Sequence, residues 1–217
     1  FLIAGMGGST GNGAAPVVAE IAQSLDGNYL TVGIVTRPFK FEGEHRFCQA
    51  QEGIDLLKEK VDSLLVIPNE GLRTLDPDLT SQNTFEASDK VICHAVQSIT
   101  DLFLEHKLVG IDLADVVSVM KNAGLAYIGI GLASGKNNVV KAAQEAMLSP
   151  LLESPVCRAQ GVIVSYYVPP KVDLKDINGA TTMIYNATSE DVNLIWNFTF
   201  DEKSEDETCV TIITTDI

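Results

Sequence analysis

Phe1-Leu-Ile-Ala4, running into Gly5-Met-Gly-Gly-Ser-Thr-Gly-Asn-Gly-Ala-Ala-Pro16, is the stretch on which the reading of this chain turns. Between Gly5 and Pro16 it holds five glycines, Ser9, Thr10, Asn12 and no charge, and an apolar helical pattern follows from Val17 to Leu25. Glycine lets backbone N–H groups approach a ligand closely. A concave row of such groups feeding a helix N-terminus suits a phosphate, and Ser9, Thr10 and Asn12 can add hydroxyl and amide donors. A plain strand-to-helix turn needs only one or two glycines. A Walker A loop fails, because it needs a lysine after its last glycine and the first lysine here is Lys40. The dinucleotide fingerprint fails too: Gly5-Met-Gly7 is followed at the third position by Thr10, and Gly11-Asn-Gly13 by Pro16. What remains is a phosphate loop without a lysine.

Working outward, residues 1–4 read as a buried strand and 14–25 as a helix. Residues 29–36 are a continuous apolar strand, as parallel sheets prefer. Phe47, Ala50, Ile54, Leu57 and Val61 recur at helical spacing, and residues 63–67 form another strand, stopped by Pro68-Asn69. Strand and helix in alternation predict a parallel α/β layer. Phe85, Ile92, Val96, Ile99 and Phe103 mark one face of a long helix from about 83 to 105, and Asp112 caps a shorter helix to about 122. The character then changes. Strands at 125–132, 161–168, 193–200 and 208–215, with helices at 137–148 and 173–187, predict an α+β unit with a four-stranded sheet.

Composition bounds the partners. With 217 residues and 46% hydrophobic content, the chain can build one large or two modest domains. A net charge of −14 argues against a nucleic-acid partner, and no apolar stretch approaches a membrane span. Cys48, Cys93, Cys157 and Cys209 show no CxxC pairing and read as core thiols of a reducing compartment. His45, His94 and His106 lack ligand spacing, so no metal site is expected from protein side chains. The chain begins at Phe1 inside a strand pattern, which predicts a fragment missing its N-terminus.

The Gly-Met-Gly-Gly-x-Thr-Gly-x-Gly-Ala-Ala-Pro form resembles the phosphate loop of the tubulin/FtsZ superfamily, and within it the FtsZ branch of bacterial cell-division GTPases. The likeness extends over essentially the whole chain. Val35-Thr-Arg-Pro-Phe-Lys-Phe-Glu-Gly43 is similar to the family's Val-Thr-x-Pro-Phe-x-Phe-Glu-Gly, and Ile67-Pro-Asn69 to its Ile-Pro-Asn. Gly129-Ile-Gly131, Ser149-Pro-Leu-Leu152, Ala159-Gln-Gly161 and Glu190-Asp-Val-Asn193 also resemble family signatures in order and spacing.

The resemblance implies a fold and a site. The fold is α/β: a partial Rossmann-like GTPase sheet with a long central helix over 1–105, then an α+β C-terminal domain over 106–217. GTP or GDP would be held by Gly7, Gly8, Ser9, Thr10 and Gly11, by Glu42 on the ribose, and by Arg46, Asn69, Phe85 and Asp89. Phe85 would stack on guanine and Asp89 would bond its Watson–Crick edge. By themselves these residues also fit a helix-start charge (Glu42), a surface arginine (Arg46) and a core ring (Phe85). Asp112 and Asp115 in Gly110-Ile-Asp-Leu-Ala-Asp-Val116 read alone as an N-cap and a first-turn acid. In the family this is the synergy loop, Asn-x-Asp-x-x-Asp, inserted into the next subunit's pocket, which makes the two aspartates catalytic. Gly110 departs from the family asparagine, and Ser9 and Asn12 depart from a usual Gly and Thr.

The implied protein hydrolyses GTP with Mg²⁺, assembles head to tail with itself, and meets the division machinery through a tail absent here. It would work in the cytoplasm at mid-cell without entering the membrane. The fragment alone is expected to bind GTP poorly and not to assemble. A structural paralogue that co-assembles but hydrolyses poorly, because of Gly110, is the alternative. An NADP-type oxidoreductase, suggested by the Gly-rich loop and Arg37, finds no hydride-transfer site downstream.

Overall fold

In a computed structural model, the described residues are 1–27, 29–75, 79–80, 83–104, 111–135, 137–201, 204 and 206–215. The strands are β1 (Leu2–Gly5), β2 (Val32–Arg37), β3 (Ser63–Pro68), β4 (Gly124–Ser134), β5 (Gly161–Val168), β6 (Asn193–Phe200) and β7 (Glu207–Thr215). The helices are α1 (Ser9–Ser24), α2 (Glu44–Lys58), α3 (Asn69–Leu75), α4 (Thr84–Leu104), α5 (Leu113–Met120), α6 (Asn138–Met147) and α7 (Leu174–Ala187). All seven strands belong to one sheet in the order β1-β2-β3-β4-β7-β5-β6. β1 to β4 run parallel, β7 lies antiparallel between β4 and β5, and β6 is parallel to β5.

The α/β class expected from the sequence is the class observed, including the four strands of the C-terminal half. The sheet is continuous, which the sequence pattern did not carry. The seam is narrow: β3 meets β4 only through Ser63↔Gly124, Leu64↔Leu125 and Leu65↔Ala126. Asp62, 3% exposed, fastens it. Its Oδ2 accepts from Thr31 N–H at 2.8 Å, its carbonyl accepts from Gly124 N–H at 2.9 Å, and Lys121 Nζ lies 3.3 Å from Oδ1.

Alternation along each strand sorts side chains to two faces. Ile34, Leu65, Ile128, Ile163 and Ile213 share one core with Ile99 and Leu102 of α4 and Val116 and Met120 of α5. Opposite them, Val35 and Val66 pack with Ile54 and Leu57 of α2, while Val164 and Ile212 pack with α6 and α7. The result is a three-layer α/β/α arrangement in which α4 and α5 lie across both halves.

Several sequence expectations need correction. Helix α1 starts at Ser9, so most of the glycine-rich stretch is helix and not loop. Phe47 is exposed, and Val61 is buried but lies past the end of α2; Phe85 is 55% exposed, which removes the core-ring alternative for it. Only Cys209 is a core thiol; Cys48, Cys93 and Cys157 are exposed and all four are free. Gly110 and the expected domain boundary at 105/106 lie outside the described residues. No helix among the described residues is long and apolar enough to cross a membrane. Phe1 and Ile3 are exposed near Val18 of α1, and Phe1 also near Leu25, the residue that ends that helix.

His94 on α4 sits in the core layer with its ring 6.5 Å from that of Tyr167, and burial pushes its pKa below the ordinary 6.5. The unfolded chain therefore takes up a proton in a window below 6.5 where the folded chain does not. Stability should fall as pH is lowered from about 7.5 to about 5.5, read as a lower urea midpoint. His94→Gln should flatten that slope, and an unchanged slope would show that other groups set it.

Candidate functional site

A cleft of about 510 Å³ opens where the C-terminal ends of β1, β2 and β3 meet α1 and α4. Ligand crevices in parallel α/β sheets form at such strand ends. One wall is the loop and first turn of α1: Gly8, Ser9, Thr10 and Gly11 border the space. Gly8 is the N-cap with no side-chain cap bond, the first turn carries no acidic residue, and the intrahelical bonds begin with Asn12 N–H to Gly8 O at 3.1 Å. The N–H groups of Ser9, Thr10 and Gly11 therefore lack an acceptor one turn back, and they carry the positive end of the helix dipole. No lysine borders the cleft, so this backbone, together with Arg46, is what could meet a phosphate.

Two glycines shape the loop. Gly7 has φ +96°, and a Cβ there would stand 2.8 Å from Arg46 Cγ and 2.9 Å from Arg46 O. A Cβ at Gly11 would collide with the Gly5 carbonyl oxygen, so the first turn of α1 can lie against β1 only because Gly11 has no side chain. Asn12 is not a ligand donor. Its Oδ1 accepts from Gly7 N–H at 2.9 Å and its Nδ2 donates to Gln49 O at 2.6 Å, so both ends of the amide hold the loop against α2.

The other walls bring in the remaining expected residues. Glu42 closes a 3₁₀ turn (Lys40–Glu42): its Oε1 accepts from Phe39 N–H at 2.8 Å and its Oε2 lies 3.2 Å from Arg46 Nη1. Asn69, the first residue of α3, is 4% exposed and accepts from Ser88 Oγ at 2.9 Å, which commits Oδ1 and leaves Nδ2 as a donor. Phe85, Ser88, Asp89 and Ile92 share one face of α4 along the cleft. The Phe85 ring meets buried Phe39 edge-on at 6.1 Å, and Phe39 stacks on Phe41 at 5.1 Å. A half-exposed ring fixed along its edge is a stacking platform for a flat base.

The cleft thus joins every expected nucleotide residue except Gly7, which lies under its rim against Arg46. Ile3, Thr36, Pro38 and Ser88 border it as well and were not expected. Ser88 was findable, since it stands three residues after Phe85 on the same helix face. Asp112 and Asp115 do not border the cleft. They form a reciprocal cap on α5: Asp112 Oδ1 accepts from Ala114 N–H (2.8 Å) and Asp115 N–H (3.0 Å), and Asp115 Oδ2 accepts from Asp112 N–H (3.0 Å). The second oxygen of each has no partner among the described residues, and both residues are exposed. Arg37 does not border the cleft either; it pairs with Glu153, which removes the feature that suggested NADP.

Among the described residues there is no group of three or more His, Cys, Asp or Glu able to hold a metal. Residues 1–76 match the model of the Tubulin/FtsZ family GTPase domain, and residues 124–217 match that of the FtsZ family C-terminal domain. An empty FtsZ dimer from M. jannaschii is 36% identical, with a TM-score of 0.92 over 98% of this chain and 62% of its own. A mutant FtsZ from the same organism is 35% identical at the same TM-score, over 98% and 64%. CetZ2 from Haloferax volcanii, in a GTPγS-bound protofilament, shares the fold at 18% identity, with a TM-score of 0.77 over 98% and 63%. The chain thus spans less than two thirds of the length of these structures. Matched in both halves by its family models and along nearly its whole length by FtsZ structures, this chain belongs to the FtsZ family.

Proposed function

We propose that the protein binds GTP in the cleft at the head of α1 and hydrolyses it at a site completed by Asp112 and Asp115 of a second copy. The observation that carries this reading is the separation of the two sets. A cleft lined by residues suited to a nucleotide lies on one side, and the paired carboxylates cap the exposed start of α5, which does not border it. Phosphates would meet the N–H groups of Gly8 to Gly11, the ribose Glu42, and the base Phe85 and Asp89. A carboxylate at Asp89 accepts from guanine N1–H and its 2-amino group, which adenine cannot offer. From the neighbouring copy, the outer oxygens of Asp112 and Asp115 would orient a water for attack on the γ-phosphate.

Mg²⁺ would arrive on the nucleotide, held chiefly by phosphate oxygens, because no protein cluster of ligands stands ready among the described residues. Bound there, it neutralises charge on the phosphates. One face offering a pocket and another offering the aspartates is a heterologous contact, and such contacts build filaments when they do not close. We infer a cytoplasmic division protein that assembles with itself at mid-cell, with other partners reached outside the described residues. The test is GTP hydrolysis by the full-length protein against its concentration. Specific activity should rise with concentration; constant activity would mean that the site is complete in one copy. Flat, near-zero turnover with retained GTP binding would favour the assembly partner that hydrolyses poorly, for which Gly110 is the sequence mark.

A further inference from the structure

The segment 149–153 belongs to the C-terminal half, between α6 and the short turn Val156–Arg158, yet it touches two walls of the cleft from behind. Glu153 Oε1 accepts from Arg37 Nη1 at 2.5 Å, across 116 positions of sequence. Arg37 is the last residue of β2, and its neighbours Thr36 and Pro38 border the cleft. Its guanidinium carbon lies 5.8 Å from the centroid of the Phe47 ring, next to Arg46. The second contact is at α3. A Cβ at Gly71 would stand 2.8 Å from Pro150 O and 3.0 Å from Leu151 Cδ2, so the helix that begins with Asn69 rests its backbone on this segment. Leu151 is fully buried in the same core as Leu72.

We propose that residues 149–153 are a brace that sets the geometry of the nucleotide cleft, with Arg37 and Glu153 as its positioning residues. This rests on the GTP reading of the cleft. The Arg37 side chain is 17% exposed, and its Nε is buried with no partner among the described residues. A charge so placed is held by its counter-ion, and without one it is driven toward water. Removing the Glu153 carboxylate therefore releases the guanidinium. The end of β2 and the Phe47–Arg46 turn of α2 then lose their common anchor. Neither Arg37 nor Glu153 touches the cleft, so any effect on nucleotide must pass through Thr36, Pro38 and Arg46. Linkage also makes the effect reciprocal: nucleotide in the cleft tightens the brace.

The experiment compares full-length wild type with Glu153→Gln, Arg37→Met and the double variant. Ile184→Val, on the buried face of α7, serves as a control for lost stability alone. A fluorescent GTP analogue reads affinity, and hydrogen exchange reads residues 36–47 and 149–153 with and without nucleotide. Each single variant should raise Kd about fivefold, the double no further than the worse single, and Ile184→Val not at all. Nucleotide should slow exchange across 149–153 in wild type and not in Glu153→Gln. A Glu153→Gln protein with wild-type Kd and wild-type exchange would overturn the brace. Should wild type bind no guanine nucleotide, the GTP reading fails by itself. The brace is then judged on nucleotide-free protein, where Glu153→Gln must speed exchange across 36–47 and fails if it does not.

Discussion

Asp112→Asn and Asp115→Asn should each lower GTP turnover by about 100-fold or more while leaving the affinity for GTP unchanged, because loss of a general base or water-orienting group costs 10² to 10⁴. Asparagine is the informative choice. Both carboxylates accept N–H bonds in the cap of α5, and an amide oxygen can accept the same bonds. The helix should therefore keep its start, with a stability change within about 0.5 kcal/mol. Any larger loss in turnover belongs to the chemistry. The composite character is tested by mixing. Asp112→Asn copies keep an intact cleft, and Asp89→Ala copies keep intact aspartates, so junctions between the two should regain turnover that neither shows alone. Mixtures no more active than the sum of their parts would mean that the carboxylates do not act across a junction between copies.

Gly11→Ala should abolish nucleotide binding and destabilise the fold by about 1–3 kcal/mol, the range for forcing a methyl into a packed site. Its Cβ would meet the Gly5 carbonyl, which is backbone and has no rotamer to yield. Relief requires α1 to lift from β1, and the N–H groups of the first turn move with it. Gly13→Ala is the matched control two residues on. A Cβ there meets nothing within 4 Å, so helix propensity alone should act, and stability should rise by about 0.5–1 kcal/mol. Urea melts and titration with a fluorescent GTP analogue read both effects. Two alanines that behave alike would mean that the close approach of α1 to β1 does not matter.

The glycine-rich loop, the strands and the long helix were legible because each carries a local signal: glycine clustering, an apolar run or a stripe at helical spacing. The errors have local causes too. Gly11 and Gly13 are poor helix formers, so the pattern placed the start of α1 five residues late; packing against β1, which needs Gly11 bare, overrides propensity. α3 is only seven residues long, too short for a periodic pattern, and follows a proline that reads as a stop. The amide of Asn12 looked like a phosphate donor because sequence cannot show that Gly7 and Gln49 already occupy it. The pairing of Arg37 with Glu153 and the three-residue seam between β3 and β4 join segments far apart in the chain, and no window of sequence contains both partners.

The position of β7 carries a consequence for how the chain is made. The latest of the described strands in sequence is a central one: it pairs with β4 over nine residues, from Ala126↔Thr215 to Ser134↔Glu207, and with β5 on its other side. Until residues 207–215 leave the ribosome, β4 and β5 each wait with an open edge, and β6 can attach only to the waiting β5. The N-terminal strands can pair as they emerge, whereas the C-terminal half must close in one late event of high contact order. A chain cut before residue 207 would therefore leave a sheet split at its middle rather than one with a frayed end.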